Sequence, residues 1–204
     1  MEPELKNIVQ TRIPTQHGEF TLHYFTNNID KKEHVALVLG DVASKKNVPV
    51  RMHSECFTGD VLGSRRCDCG EQLDMSLQII SENGLGVLIY LRQEGRGIGL
   101  LKKLQAYNLQ DQGLDTVDAN IHLGHLADER EYTIAALILQ KLQIKSVDLI
   151  TNNPKKIDGL KKLGITVERR IAIETDYHHD NLEYLKTKVK KMSHLLSVPR
   201  DDES

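Results

Sequence analysis

No stretch of this 204-residue chain stays apolar over anything near the ~20 residues that cross a bilayer. The opening, from Met1 to Asn7, has neither the basic nor the apolar region of a signal peptide, so export is not expected. A basic excess is missing too. Lysine and arginine number 27 against 29 acidic residues, a net charge of −2, which argues against a general binder of nucleic acid or membrane surfaces. Internal repeats and low-complexity linkers are absent. Cysteine is scarce: three residues would leave one thiol over from any disulfide. What is present, 39% hydrophobic and 27% charged residues, describes a globular chain expected in the cytoplasm with reduced thiols. Its length suits one domain with a substantial core. Residues 1–197 read as that single domain, and 198–204 (VPRDDES) as a short polar tail expected to be disordered.

Short runs rich in Val, Leu or aromatics predict strands at Phe20–Phe25, His34–Gly40 and Val48–Ser54. Gly86–Leu91 (GVLIYL) is almost wholly apolar, as expected of a strand buried on both faces. Val147–Thr151 and Ile165–Ile173 complete the set. Helical spacing marks Glu71–Glu82, with Leu73, Leu77 and Ile80 on one stripe and Asn83-Gly84 as C-cap. Ile98–Asp111 repeats it through Leu101, Leu104 and Leu109 and stops at Gly113. Asp128–Leu142 places Ile134, Leu137, Ile138 and Leu142 together. Pro154–Leu163 starts behind Asn153 as N-cap and stops at Gly164. Leu182–Leu196 is a last amphipathic helix. Strands first, then strand–helix–strand units, imply an α/β fold: a mixed β-sheet covered by helices.

The three cysteines, Cys56, Cys67 and Cys69, fall within fourteen residues as C-x10-C-x-C. Three thiols without a fourth nearby match the ligand count of a catalytic zinc site, which keeps one position for water or substrate. Gly70 follows at once and would let the chain turn so that both sulfurs of the CxC pair reach one ion. Two alternatives compete. A disulfide fits neither the odd count nor the compartment, whereas His53, three residues before Cys56, could close a four-ligand structural site. The open site is the reading that the ligand count favours.

Two loops have the makings of anion sites. In RQEGRGIG (92–99), three glycines allow close backbone approach to a ligand while Arg92 and Arg96 supply positive charge. TNNPKK (151–156) sets a hydroxyl and two ammonium groups at the start of a helix, although Asn153 capping beside two solvated lysines would explain it as well. A third segment, ADER (127–130), reads as a helix head, where Arg130 is unfavourable unless a carboxylate or phosphate meets it. His122 and His125 read as loop and cap residues.

Together RMHSEC (51–56), RCDCGEQ (66–72), RQEGRGIGL (92–100), ADER (127–130) and TNNPKK (151–156) resemble GTP cyclohydrolase II, the family that opens riboflavin biosynthesis. The resemblance runs from about residue 8 to residue 195. It implies that Cys56, Cys67 and Cys69 hold zinc. It also implies that Arg51, Met52, His53, Ser54, Glu55, Gln72, Glu94, Gly95, Arg96, Thr116, Thr151 and Lys156 form the GTP pocket, with Mg²⁺ on the phosphates. Asp128 is implied as proton acceptor, Arg130 as nucleophile toward the α-phosphorus, and Tyr107 as the family's active-site tyrosine. The implied products are formate, pyrophosphate and a diaminopyrimidine ribosyl phosphate, and the implied assembly is a homodimer. Opening guanine at C8 needs hydroxide near neutral pH, and zinc lowers the pKa of bound water from 15.7 to roughly 7–9. Arginine is an awkward nucleophile, because its pKa above ~12 keeps it protonated, so charge stabilisation is the simpler role. The competing function class is a nucleotide-binding regulator with a His53-closed structural zinc and no turnover.

Overall fold

The computed structural model describes residues 2–198. All but Val198 of the expected polar tail lies outside the described residues.

Seven strands form one sheet: β1 (Leu5–Thr15), β2 (Gly18–Asn27), β3 (His34–Leu39), β4 (Val48–Ser54), β5 (Gly86–Leu91), β6 (Val147–Ile150) and β7 (Val167–Ile171). Their spatial order is β1-β2-β3-β5-β4-β6-β7. The β1, β2, β3 and β5 pairings are antiparallel, whereas β5–β4, β4–β6 and β6–β7 are parallel. The sheet is therefore mixed, as the order of elements implied. Strand β1 escaped the sequence reading because most of its residues face solvent, Ile8 and Val9 among them. Its partner β2 holds it through backbone pairing with a register shift between Asn7 and Val9.

The helices are α1 (Phe57–Asp60), α2 (Cys69–Glu82), α3 (Leu100–Asp111), α4 (Thr116–His122), α5 (Thr133–Lys141), α6 (Pro154–Lys162) and α7 (Leu182–Met192). One hydrophobic core joins Val50, Met52, Val87 and Ile89 to Ile134, Ile138 and Leu160, so α5 and α6 cover that face of the sheet. Ile80, Leu73 and Leu77 of α2 pack on the other face with Phe20, Leu88 and Ile150. This division follows from connectivity. From β4 the chain crosses through α2 to β5 on one side, then returns past β4 to β6 on the other. With right-handed crossovers, reversing direction puts the two connections on opposite faces. A crevice opens where they part, at the carboxyl end of β4, which is where ligands bind in such sheets.

Three sequence expectations are corrected. The helix expected over Asp128–Leu142 is only Thr133–Lys141, so Asp128 and Arg130 lie in the loop before it. The supposed conflict of Arg130 with a helix dipole therefore does not arise. In α3 the Leu101 and Leu104 stripe faces outward at 69% and 43% exposure, while Lys103 and Ala106 are buried. The last helix stops at Met192, where Ser193 takes a left-handed conformation at φ 56° and turns the chain away.

Candidate metal and anion site

Three loops leave the carboxyl ends of adjacent parallel strands and meet at the crevice: Glu55–Cys56 after β4, Gln93–Gly99 after β5, and Thr151–Asn153 after β6. The first carries Cys56 into α1, while Cys67 and Cys69 return at the start of α2. Their three sulfurs lie within 4.8 Å of one another, and Cys56 Sγ is 3.6 Å from Cys67 Sγ. Thiolates bound tetrahedrally at about 2.3 Å to one ion would stand about 3.8 Å apart, so the cradle fits zinc. Its floor is two glycines in contact. A Cβ on Gly59 would come within 3.0 Å of Cys67 Sγ, and a Cβ on Gly70 within 2.5 Å of the Gly59 carbonyl oxygen. Gly70 lies inside α2 without a positive φ, so what it contributes is lack of bulk rather than the sharp turn expected.

Crowded thiols resist joint ionisation. The hydrogen-bonded sulfurs of Cys67 and Cys69 hold the Cys56 thiol well below its ordinary value, and the Lys103 ammonium adds to this. The Cys67 thiol is pushed up to about 12, first by its bond to Cys56, and Cys69 is raised as well. A cation among them would remove that conflict. Lys103 Nζ donates to Cys56 Sγ at 3.0 Å and to Glu94 Oε1 at 2.8 Å, while Glu94 Oε2 accepts from the Phe57 amide at 2.6 Å. Asp60 accepts from the Cys56 amide at 3.0 Å and from Tyr90 Oη at 2.8 Å, and it holds His53 Nε2 at 3.0 Å. His53 is thus engaged by Asp60 and does not belong to the metal-binding cluster, which leaves the closed four-ligand alternative without its fourth ligand.

A second lobe adjoins the thiols. Arg51, Arg130, Lys156 and Lys188 line it, with Asp68 bound to Lys188 at 2.8 Å and Asp128 bound to Arg130. Arg51 donates to Gln72 Oε1 at 2.6 Å and to the Ile150 carbonyl at 3.1 Å, and Gln72 donates in turn to Asp68. Lys156 Nζ donates to the Met52 carbonyl at 2.6 Å. Burial, then repulsion from Arg51 and Arg130, holds the Lys156 ammonium well below its usual pKa, and burial brings Arg51 down to about 10. Five buried atoms in this lobe lack a partner among the described residues: Arg51 Nε, His53 Nδ1, Ser54 Oγ, Asn153 Nδ2 and His194 Nε2. Unpaired buried groups are costly. Here they converge with excess positive charge, which is what an anion would relieve.

The two lobes share Ser54, Cys69, Arg130, Tyr184, Lys188 and His194 as a common wall. Glu55, Glu94, Gly95, Arg96, Thr116 and Tyr107 line the thiol side. Tyr107 Oη lies 3.2 Å from Thr58 Oγ1, which is itself 3.8 Å from Cys56 Sγ. Arg51, His53, Gln72, Thr151 and Lys156 line the cation side. Met52 is the exception among the expected pocket residues. Strand alternation buries its side chain in the opposite core, and only its carbonyl faces the site. Arg92, expected as a phosphate ligand, pairs instead with Glu55 at 2.9 Å near the surface. His125 pairs with Glu129 at 3.1 Å, and His122 ends α4.

Arg130 forms a fork on Asp128, Nε to Oδ1 at 2.8 Å and Nη2 to Oδ2 at 2.5 Å. Burial opposes its charge, but the Asp128 bonds and nearby Tyr132 outweigh that, so the guanidinium is held more firmly protonated than usual. The segment is fixed from outside: the Glu129 amide donates to the Arg96 carbonyl at 3.0 Å, and a Cβ on Gly97 would meet Glu129 at 3.1 Å. Lys103, Tyr184, Lys188 and His194 are site residues that the sequence reading missed. For Lys103 a signal was available, since it lies four residues before Tyr107 on one helical face.

A family profile described as GTP cyclohydrolase II matches residues 6–172. The chain is similar to the riboflavin biosynthesis protein RibBA of Chlamydia muridarum, 53% identical over 98% of this chain and 47% of that protein. It is 52% identical to RibBA of Bacillus subtilis over 92% of this chain and 48% of the relative. To the GTP cyclohydrolase-2 of Hahella chejuensis it is 50% identical, over 96% of this chain and 95% of the relative. The chain thus spans about half the length of the RibBA relatives it matches.

Proposed function

Because the chain belongs to the GTP cyclohydrolase II family, we propose that it hydrolyses GTP at the crevice between its two lobes. The imidazole ring of guanine is opened at C8, and formate and pyrophosphate are released with a diaminopyrimidine ribosyl phosphate. That reaction would be the first committed step of riboflavin biosynthesis. The observation behind this reading is the shared wall. A thiol cradle suited to a metal and a buried, cation-rich lobe open on each other, as a ligand with a hydrolysable ring at one end and phosphates at the other requires.

Cys56, Cys67 and Cys69 would hold one zinc ion, leaving a fourth position. When bound, the metal supplies Lewis acidity that makes water a competent nucleophile near neutral pH. The chain's own residues do the rest. Lys103 and Glu94 fix Cys56 and the α1 turn. Tyr107, which lines the thiol lobe, would orient water or the opened ring. Arg51, Arg130 and Lys156 absorb charge on the phosphate chain, with Mg²⁺ arriving on the phosphates. Asp128 holds the Arg130 fork and is the nearest proton acceptor to it. Arg130, so firmly protonated, acts by charge stabilisation rather than as a nucleophile. Residues 1–197 would form one catalytic domain. A homodimer is the assembly that the family resemblance implies, and the outward Leu101 and Leu104 of α3 are a candidate face for it.

The test is Cys67→Ser assayed with GTP and Mg²⁺. Zinc content and formate should vanish together while some pyrophosphate release persists, because the phosphate lobe is built from other segments. Formate production at the natural rate by a zinc-free variant would defeat the reading. A wild-type protein that binds GTP and releases neither product would favour the regulator class.

A further inference from the structure

His194 has no place in the family motifs that run from residue 51 to residue 156, yet its side chain lines both lobes of the crevice. Its position is set with care. Ser193 turns left-handed at the end of α7, and the His194 amide donates to the Lys188 carbonyl at 3.0 Å. One residue on, the Leu195 amide donates to the Asn152 carbonyl at 2.9 Å, pinning the strap to the loop after β6. Two backbone bonds from two elements thus aim one imidazole into the cation-lined lobe.

What the ring meets there is positive charge. Burial first, and then Lys188, Arg130, Lys156 and Arg96, bring its pKa down to about 2, so the imidazole is held neutral. Its Nε2 is buried without a hydrogen-bond partner among the described residues, and with the ring proton on that nitrogen the neutral imidazole has one N–H to donate there. No carboxylate is bonded to this ring among the described residues, whereas His53 and His34 each hold one. In that tautomer the ring is a buried donor among four cations, and an anionic oxygen would satisfy both.

We propose that His194 is a substrate-contacting residue, with Nε2 donating a hydrogen bond to a phosphate oxygen of the bound nucleotide. The strap that carries His194 is then part of the binding site, on the wall that the two lobes share. This deepens the assignment of the cation-rich lobe to phosphates and rests on it. Tyr184 supports the arrangement: its ring lies 4.9 Å from Lys188 Nζ and 6.0 Å from the Arg96 guanidinium, holding both cations on the same wall.

Calorimetry on the zinc-loaded full chain tests this with two probes, inorganic pyrophosphate and guanosine. A hydrogen bond to a charged group corresponds to about tenfold in affinity or more. His194→Ala should therefore weaken pyrophosphate binding about tenfold while leaving guanosine binding and zinc content unchanged. His194→Gln, which keeps an N–H donor near the Nε2 position, should recover most of the loss. In turnover the KM for GTP should rise while kcat changes little. Equal pyrophosphate affinity in wild type and His194→Ala would overturn the proposal. So would parallel loss of both probes without rescue by glutamine, which would mark a structural role. A wild type that binds pyrophosphate but does not turn over GTP would defeat the assigned reaction while leaving the contact testable.

Discussion

Lys103 Nζ stands 3.0 Å from Cys56 Sγ, an ammonium set directly against one thiol of the metal cradle. The same nitrogen is 2.8 Å from Glu94, so it links the cradle to the loop after β5. Both partners are about nine-tenths buried. Lys103→Met should leave the Glu94 carboxylate buried without its cation, at a cost of about 3 kcal/mol in unfolding free energy. It should also weaken zinc binding, because the anionic thiolate set loses its nearest compensating charge. Urea unfolding and chelator competition read the two effects. An unchanged midpoint would show that Lys103 only neighbours the site.

Gly70→Ala would ordinarily favour a helix, alanine being better than glycine by about 1 kcal/mol. Here the new methyl would sit 2.5 Å from the Gly59 carbonyl oxygen. Steric strain should win, destabilising the protein by roughly 1–3 kcal/mol and loosening the cradle. A variant at least as stable as wild type, with full zinc, would remove Gly59–Gly70 contact from the account of the site.

Much of this was legible in the sequence, for identifiable reasons. GVLIYL announced a doubly buried strand because both its faces carry helices or core. Asn153-Pro154 announced a helix start, and Asn153 Oδ1 does accept from the Lys155 amide at 3.0 Å. The cysteine spacing announced the cradle. Other features left no local signal. Strand β1 is held by backbone bonds and shows little apolar alternation. Lys188 reaches Asp68 across 120 residues, a pairing set by tertiary docking of α7. On α3 the periodicity is real, but spacing alone does not say which face is buried: the apolar stripe faces out and the face with Lys103 and Ala106 builds the site.

That outward stripe can be tested. Leu101, at 69% exposure, Leu104 at 43%, and Ile121 on the adjoining α4 at 58% would be covered in a homodimer. Replacing Leu101 and Leu104 together by Glu should shift the sedimentation coefficient from dimer to monomer while the circular dichroism is retained. A monomeric wild type at tens of micromolar, or a dimer untouched by the double change, would rule out this face.

Tyr107→Phe removes one hydroxyl beside the cradle, whose partner is Thr58 Oγ1 at 3.2 Å. Fold and zinc content should be retained, and GTP affinity should stay within about fivefold, since one exchangeable neutral hydrogen bond contributes only about 1 kcal/mol. Diaminopyrimidine product should fall far more steeply than pyrophosphate release, because the hydroxyl lies at the thiol lobe. Unaltered turnover would take Tyr107 out of the chemistry.

Arg130 offers the sharpest contrast between mechanisms. Its fork on Asp128 places two N–H groups on one carboxylate and keeps the guanidinium protonated, leaving no free electron pair for attack on phosphorus. Arg130→Lys preserves the charge but not the planar fork. Under charge stabilisation, this variant should lose at most roughly a hundredfold to a thousandfold in kcat, the range for a lost preorganised donor, with residual pyrophosphate still released. Asp128→Asn should act in the same direction by freeing the fork to swing. Rapid quenching of wild type should then trap no guanylyl group on Arg130. A phosphoramidate there, formed at a rate that matches turnover, would make arginine the nucleophile and require Asp128 to take its proton.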